Sequence, residues 1–318
     1  KGFASGFTVL SLYPLRYGLE DLDWYLLREM YKAIKRADMY FISVLSLAEL
    51  ASKGVTEVLV ADVYLDEVAR AARDVGVNVT LAPLLNCGLD DDQQLSELKL
   101  LLGRWHGRVE GVKVGIAVCR ELGGNYLAIA RESGIPVFLL EPEKELQRDL
   151  KDVKAVAINP LVDIELPTIY FGRMLQKRRK FGGVGIGVRP SYSIREVLKE
   201  VLWSRSTDLL DVFLSGTRIT SELIDQHESS SLREGSRSSV VVYNLSEPPG
   251  WPVPRTLNSA MRAVTEGDLP IEAVIIGDDV VVDREGILTV GYEVFKKAIK
   301  RFEDLYPTLP PLLLRQQL

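Results

Sequence analysis

The sequence predicts an α/β protein built around a parallel β-sheet and followed by a small antiparallel β unit. Short runs rich in β-branched residues, such as residues 55–61, alternate with amphipathic segments of helical period, such as residues 66–75. Beyond about residue 236, strand-like runs follow one another without long helices between them. Alternating strands and helices form parallel sheets with right-handed crossovers, so the first part is either a closed barrel or an open doubly wound sheet.

The individual strands and helices are predicted from the spacing of apolar residues and from glycines and prolines that end each segment. Residues 7–12 form a short apolar run bracketed by Gly6 and Pro14, which predicts a buried strand and then a loop. Later strands are predicted at residues 55–61, 77–81, 112–116, 135–140, 153–158, 184–188, 239–245, 271–277 and 280–283. Helices are predicted as two within residues 19–50, and then at residues 66–75, 95–102, 125–133, 169–179, 194–203 and 292–305.

Composition argues against several classes of partner. The net charge of −5 and the pI near 5.4 disfavour a nucleic-acid-binding surface, which would show clustered lysines and arginines. No apolar run approaches the ~20 residues that are needed to span a bilayer. We therefore expect a cytoplasmic protein with no nucleic-acid or membrane partner. Few asparagines and glutamines among many charged residues indicate a thermophilic source.

Cysteines and histidines are too few for a usual metal centre. Cys87 and Cys119 are the two cysteines, and we predict that both are buried free thiols. His106 and His227 are the two histidines, and they lie on separate polar segments. A hydrolytic zinc site needs about three converging protein ligands. The residues therefore predict neither a bound metal nor a cofactor.

Two motifs resemble ligand sites but have a simpler structural explanation. The three aspartates at residues 90–92 precede a predicted helix, and carboxylates favour helix N-termini, so a cap is favoured over a cation site. The glycine-rich run at residues 182–187 passes through a predicted strand and does not open a helix. A dinucleotide-binding loop needs the opposite context, so this run predicts close backbone packing.

The stretch GFASGFTVLSLYPLR at the start of the sequence is similar to PGFVNAHTHLSLYPLR. This second pattern is the first barrel strand of the amidohydrolase superfamily, the metal-dependent hydrolases and deaminases, so the sequence resembles that superfamily. Near the other end of the chain, LREGSRSSVVVYNL and IEAVIIGDDVVVDREGIL are similar to the return from the barrel and to the terminal hairpin. Weaker similarities, in the superfamily's order, lie at residues 135–143, 159–160 and 184–190.

The resemblance implies a TIM-like (β/α)8 barrel over residues 1–235. It also implies a small antiparallel β-sandwich remnant, a C-terminal helix and a Pro-rich tail over residues 236–318. In the superfamily, the first strands of the sandwich precede the PGF stretch, whereas this sequence starts at Lys1. The resemblance therefore implies either residues before Lys1 or a sandwich that is half made.

Carried over position by position, the resemblance implies that the superfamily's metal ligands are replaced. Phe7 and Val9 stand where the first strand has two histidines, and Leu140 stands for the histidine of the fifth strand. Arg189 stands for the aspartate of the eighth strand. The sixth-strand histidine has no counterpart, because residues 143–159 leave no room for a strand and its helix. This predicts that about one β/α unit is missing, with the barrel either incomplete or repaired by other segments.

Apolar side chains cannot hold the divalent metal that activates water, so the resemblance implies a protein that has lost metal-dependent hydrolysis. Such a protein would be a binding or structural subunit. The alternative is a hydrolase of non-peptide C–N bonds that uses a metal-free site, and a third hypothesis is a metal site built from Asp62, Glu143 and Cys119. Candidate pocket residues at the predicted strand ends are Thr8, Asp62, Asn86, Cys119, Glu143, Asn159 and Arg189.

Arg189 is the basis for predicting an anionic ligand, because its guanidinium supplies the positive charge that the metal would have had. We expect it to pair with Glu143 or Asp62, with exposure to solvent as the alternative. A small anionic ligand at the barrel mouth is the expected partner. A second copy of the chain or an active relative is the other expected partner.

Overall fold

The structure is a computed structural model. It describes residues 1–18, 24–119, 124–142, 150, 152–162, 164–171, 182–187, 192–204, 208–229 and 231–309. The strands are β1 (Phe3–Thr8), β2 (Val55–Asp62), β3 (Asn78–Leu85), β4 (Val112–Val114), β5 (Ile116–Val118), β6 (Val137–Leu140), β7 (Ala155–Ile158), β8 (Thr168–Phe171), β9 (Gly183–Gly185), β10 (Ser239–Tyr243), β11 (Ile271–Ile276), β12 (Asp279–Asp283) and β13 (Gly286–Ile287).

The helices are α1 (Trp24–Ala33), α2 (Arg36–Ser52), α3 (Leu65–Val75), α4 (Asp91–Arg104), α5 (Gly124–Ser133), α6 (Ile194–Ser204), α7 (Leu209–Leu214), α8 (Thr220–Leu223), α9 (Leu257–Glu266) and α10 (Tyr292–Leu305). A π-helical turn, Ser215–Ile219, joins α7 to α8. Short 3-10 turns lie at Tyr13–Gly18, His227–Ser229 and Tyr306–Thr308.

Strands β1 to β9 form a parallel barrel with eight strand positions. Their order is β1-β2-β3-β5-β6-β7-β8-β9, with β4 pairing beside β3 ahead of β5. Thr8 bridges to Gly187, and the Gly187 N–H donates to the Phe7 carbonyl at 3.1 Å, which brings the last strand back to the first. The alternation of strands and helices allowed either a closed barrel or an open doubly wound sheet. The contact between the first and last strands closes the sheet, so the predicted barrel is confirmed.

The fourth strand position is interrupted at Gly115. Its N–H donates to the Leu81 carbonyl at 2.9 Å, so the chain stays attached to β3 while β5 turns toward β6. A Cβ at Gly115 would lie 2.6 Å from the Phe138 ring and 3.0 Å from the Pro136 carbonyl oxygen. Only glycine permits this close approach between neighbouring strands.

The barrel interior is filled by apolar side chains, as in other closed eight-stranded barrels. Phe7 is fully buried and stacks on Phe171, with ring centroids 5.1 Å apart. The cluster runs from the strands to the inner side of α1, through Leu27 and Met30. Other buried members from the strands are Leu59, Ala61, Ala82, Leu84, Ala117, Phe138, Leu140, Val156, Ile158 and Ile169.

A second core lies outside the barrel and joins it to the small antiparallel sheet, β10-β11-β12-β13. Helices α2 and α3 pack on β2 and β3, and buried Val274 and Val282 of the small sheet belong to the same apolar cluster. The Gly2 N–H donates to the Ser239 carbonyl at 2.7 Å, which connects the start of β1 to β10. The predicted antiparallel unit is therefore present and packs against the barrel.

Two sequence predictions about the barrel are wrong. Residues 169–179 were predicted as a helix, but Thr168–Phe171 is strand β8, paired with β7 and β9. The apolar residues of this segment fit both the helical and the strand periodicity. The backbone hydrogen bonds to two neighbouring strands make it a strand. With β7 at the sixth position and β8 at the seventh, the sixth strand is not missing. What is short is the β7–β8 connection, residues 159–167, whose described part contains no helix.

Two further predictions need correction. Residues 7–12 were predicted as the first strand, but β1 ends at Thr8, and Val9 and Leu12 turn inward to join the apolar cluster. No long helix was predicted between β10 and β11, but α9 lies there after the Pro-rich segment. Its N-terminus is capped by Thr256, whose hydroxyl accepts from the Ser259 N–H at 3.1 Å. Predicted helix 292–305 is confirmed as α10.

We expect Phe7→Ala to lower the free energy of unfolding by about 3–5 kcal/mol, because it leaves a cavity in a filled barrel. Urea unfolding monitored by circular dichroism measures the change. Trp203→Ala is the matched control, since Trp203 is 75 % exposed and its loss should change stability by no more than about 0.5 kcal/mol. Equal effects of the two substitutions would contradict the packing described for Phe7.

Candidate active site at the carboxyl end of the barrel

The carboxyl ends of the barrel strands meet at one end of the molecule, where barrels of this kind place their functional groups. Asp62, Asn86, Cys119 and Asn159 all lie at or directly after strand ends there. Thr8 lies there too, but it is fully buried in the barrel wall, with its hydroxyl 3.1 Å from the Ser5 hydroxyl. It therefore does not line a pocket.

Glu143 and Arg189, the other two candidate pocket residues, lie outside the described residues. The predicted pairing of Arg189 with Glu143 or Asp62 stays a prediction.

The residues at the predicted metal positions cannot bind a cation. Phe7, Val9 and Leu140 are buried and contribute only carbon atoms to the apolar cluster. Leu140 pairs in register with Ile158 of the neighbouring strand, so that strand end is apolar as well. Among the described residues, no group of three His, Cys, Asp or Glu side chains is placed to hold a metal ion. The described side chains at these three positions do not fit the metal that the resemblance implies.

Both histidines lie at the opposite, amino-terminal end of the barrel. His106 Nδ1 accepts a hydrogen bond at 3.2 Å from the N–H of Val114, which lies in the first half of the fourth strand position. His227 Nε2 lies 3.1 Å from the Asp225 carboxylate and 3.1 Å from Lys154 Nζ, just before β7. Neither histidine can reach the strand ends where the candidate site lies.

Asp62, the last residue of β2, is the central polar group of the mouth. One carboxylate oxygen accepts from the Ser11 N–H at 2.9 Å. The other accepts from the Tyr31 hydroxyl at 2.6 Å and from the Val63 N–H at 2.9 Å. A fully buried carboxylate needs such donors to offset its lost hydration. Asp62 thereby holds the turn after β1 and helix α1 over the end of β2.

Burial changes the acidity of both partners in this pair. Removal from water raises the pKa of Asp62, and the hydrogen bonds from Tyr31, Ser11 and Val63 offset part of that rise. Burial and the adjacent carboxylate raise the pKa of Tyr31 well above its ordinary value. The phenol therefore stays protonated as a donor, and the carboxylate accepts a proton more readily than an exposed aspartate.

The two cysteines form a disulfide, Cys87–Cys119, so the prediction of free thiols is wrong. Neighbouring strands bring them together: Leu85 pairs with Val118, and each cysteine lies one or two residues beyond its strand. Their 32-residue separation in sequence concealed this proximity. A disulfide-bonded Cys119 is neither a nucleophile nor a thiolate ligand, and the bond fixes the loop that follows β3.

The loop after β3 is also held by helix α4. Asp90 accepts hydrogen bonds from the N–H groups of Asp92 and Gln93 at 3.1 and 3.2 Å, which confirms the predicted helix cap. Asp91 accepts from the Asn86 N–H at 2.8 Å. The acidic run therefore organises this loop.

A second polar corner lies after β6 and β7. Glu141 directly follows β6, and its carboxylate lies 3.5 Å from Asn159 Nδ2 and 3.5 Å from Trp24 Nε1. Glu141 and Asn159 both adopt positive φ, 47° and 48°, which is uncommon for residues other than glycine and favours functional sites. Asn159 is 7 % exposed, and its Oδ1 has no hydrogen-bond partner among the described residues.

Sequence reasoning missed Glu141 and Tyr31 as site residues. The signal for Glu141 was its position immediately after the strand, where Glu143 was chosen instead. Tyr31 had no local signal, because it sits in the middle of an amphipathic helix and reaches Asp62 only through the tertiary fold.

A groove of about 530 Å³ opens beside this mouth, between α1 and the loop after β3. Tyr31 is part of its wall, so one side chain contacts both the groove and buried Asp62. The groove is lined by Tyr25, Arg28, Glu29, Tyr31, Lys32, Gly88 and Leu89. Its volume suits a small organic molecule.

The barrel is similar in fold to several solved enzyme structures. An adenosine deaminase from Xanthomonas campestris with bound zinc superposes with a TM-score of 0.80 at 12 % identity, covering 96 % of this chain and 85 % of that one. Atrazine chlorohydrolase from Arthrobacter aurescens with zinc superposes with a TM-score of 0.76 at 14 % identity, covering 96 % and 87 %. The chain has the same barrel fold as these two enzymes. No family model matches the sequence.

Two curated relatives are similar in sequence to part of this chain. Both are 5-methylthioadenosine/S-adenosylhomocysteine deaminases. The one from Thermoanaerobacter pseudethanolicus is 25 % identical over 189 residues, covering 53 % of this chain and 44 % of the relative. The one from Caldanaerobacter subterraneus subsp. tengcongensis is 25 % identical over 147 residues, covering 42 % and 34 %. The chain therefore matches less than half the length of each relative.

Among the described residues, no helix is both long enough and apolar enough to cross a bilayer.

We expect the variant Cys87→Ala/Cys119→Ala to unfold with a free energy about 3–4 kcal/mol lower than wild type, because the disulfide closes a 32-residue loop in the unfolded chain. Urea unfolding with and without a dithiol reductant measures this. The reductant should destabilise wild type and leave the double variant unchanged. Two free thiols found by alkylation and mass spectrometry in the oxidised wild type would contradict the disulfide.

The raised pKa of Asp62 predicts that the free energy of unfolding depends on pH. Because its folded pKa is raised, the folded protein holds this proton more tightly than the unfolded chain does. Stability should therefore fall as pH rises from about 3.9 through the raised pKa, by at most about 1.4 kcal/mol per pH unit. The difference in unfolding free energy between wild type and Asp62→Asn, measured from pH 4 to 8, isolates this group. A difference that does not change with pH would show that Asp62 titrates normally.

Proposed function

We propose that the chain hydrolyses a non-peptide C–N bond of a small molecule, as a deaminase does, through a metal-free site. The observation that carries the proposal is the Asp62–Tyr31 pair, with its 2.6 Å hydrogen bond, beside a groove at the carboxyl end of the barrel. Similarity to deaminases in sequence and to C–N hydrolases in fold supports the same class of chemistry.

The pair supports general acid–base catalysis. Tyr31 contacts the groove, and Asp62 is ready to receive its proton. A water molecule in the groove would give a proton to the Tyr31 oxygen as Tyr31 passes its own to Asp62. The water oxygen then forms a bond to the substrate carbon. When the C–N bond breaks, the proton returns by the same route to the leaving nitrogen, so the pair ends as it began.

The raised pKa of Asp62 suits this role, because a carboxylate with a raised pKa is a stronger base than an exposed aspartate. The high pKa of Tyr31 keeps the phenol neutral at rest, so it relays a proton without carrying a charge. The apolar cluster beneath the pair excludes water, which strengthens electrostatic interactions at the mouth.

A second candidate is a binding or structural subunit without catalysis, which would act beside an active relative or a second copy of the chain. The filled barrel axis supports it, because Phe7, Val9 and Leu140, which stand where the resemblance implies metal ligands, are buried in the apolar cluster. In this case the groove would bind a molecule without converting it.

Ammonia release from 5-methylthioadenosine, S-adenosylhomocysteine and adenosine tests the first candidate, with protein purified without chelator. We expect release that EDTA does not abolish, and a kcat lower by about 10²–10⁴-fold in both Tyr31→Phe and Asp62→Asn. Arg108→Met is the matched control, since Arg108 is exposed near the amino-terminal end of the barrel.

The outcomes separate the candidates. Folded wild type that releases no ammonia from any of the three compounds favours the binding subunit. Stoichiometric zinc, iron or manganese in the purified protein would overturn the metal-free site in favour of a metal centre with unexpected ligands.

A further inference from the structure

Arg28 is an arginine without a carboxylate partner in the groove. Its Nε donates to the Trp24 carbonyl at 3.2 Å, one turn earlier on α1. It forms no ion pair with any residue that the structure describes, although the side chain is partly buried. Among the described residues, the Nη groups, which form the outer part of the guanidinium, therefore have no carboxylate partner.

Gly88 makes room for this guanidinium. A Cβ at Gly88 would lie 2.6 Å from Arg28 Nη1, so any other residue would displace the arginine. Gly88 also has a φ of +77°, a conformation that glycine adopts at least cost. The neighbouring disulfide at Cys87 holds this loop against the mouth. Arg28 thus packs against the backbone of Gly88, in a loop that the disulfide holds in place.

The other charges of the groove cancel. Lys32 Nζ pairs with the Glu29 carboxylate at 2.5 Å, which leaves Arg28 as the uncompensated charge among the lining residues. Tyr25, which is 55 % exposed, and Tyr31 supply aromatic surface beside it. A guanidinium beside two aromatic side chains is complementary to a molecule that carries an oxyanion on a planar ring.

We propose that the groove is a binding site for a small ring compound carrying a carboxylate or phosphate group, with the oxyanion on Arg28. A guanidinium offers two parallel N–H donors that fit either oxyanion, and its planar shape makes this recognition directional. The ring lies against Tyr25 and Tyr31. Binding does not require catalysis; only the identification of this compound class as the substrate rests on the proposed function.

Isothermal titration of the full chain with benzoate, phenyl phosphate and neutral benzamide tests the proposal. We expect benzoate or phenyl phosphate to bind and benzamide to bind at least 10-fold more weakly. Arg28→Met should raise the Kd of the anionic probe at least 10-fold, whereas Arg28→Lys, which keeps the charge but loses the fork, should fall between. The preferred probe separates carboxylate from phosphate recognition.

Arg108→Met is the matched control and should leave the Kd within about 2-fold, because it removes the same charge from the far end of the barrel. Urea unfolding of each variant shows that a lost affinity is not a lost fold. Gly88→Ala should weaken binding as well, since its Cβ displaces the guanidinium. Equal Kd values for wild type and Arg28→Met, or equal binding of benzamide and benzoate, would overturn the proposal.

This experiment stands apart from the assay of ammonia release. A protein that binds benzoate through Arg28 and hydrolyses none of the three compounds would retain this site and lose the proposed reaction.

Discussion

The arrangement of the barrel mouth depends on one buried carboxylate, that of Asp62. Three separate segments donate hydrogen bonds to it: the turn after β1 through Ser11, helix α1 through Tyr31, and the end of β2 through Val63. Burying a charged group is costly unless its hydrogen bonds are made, so these contacts fix where α1 lies over the barrel. The position of α1 in turn shapes the groove and completes the apolar cluster beneath it.

The mouth divides into an apolar axis and a polar rim. Along the axis, Phe7 stacks on Phe171, and apolar side chains continue from strand to strand. Around the rim, Asp62 with Tyr31 and Glu141 with Asn159 form two polar pairs at strand ends. In the superfamily pattern, reactive groups would converge on a metal at the axis. Here the groups that can transfer a proton or bind an anion lie at the edge, beside the groove.

Local sequence signals located most elements, because helical period, capping residues and β-branched runs act over a few residues. Helix α10 and the Asp90 cap follow directly from such signals. The errors came where local signals are ambiguous. Thr168–Phe171 has residues that fit a helix, and only pairing with two neighbouring strands makes it β8. Helix α9 was hidden behind a Pro-rich segment, with its start marked by Thr256 alone.

The sequence by itself determined the alternation of strands and helices, the small antiparallel unit and the apolar residues at the predicted metal positions, because each depends on residue type and spacing along the chain. Only the tertiary structure decided four other features. These are the closure of the barrel, the Cys87–Cys119 bond, the Asp62–Tyr31 hydrogen bond and the contact of Arg28 with Gly88. Each of these joins residues far apart in sequence. Their proximity arises from the order and register of parallel strands, which no local pattern encodes.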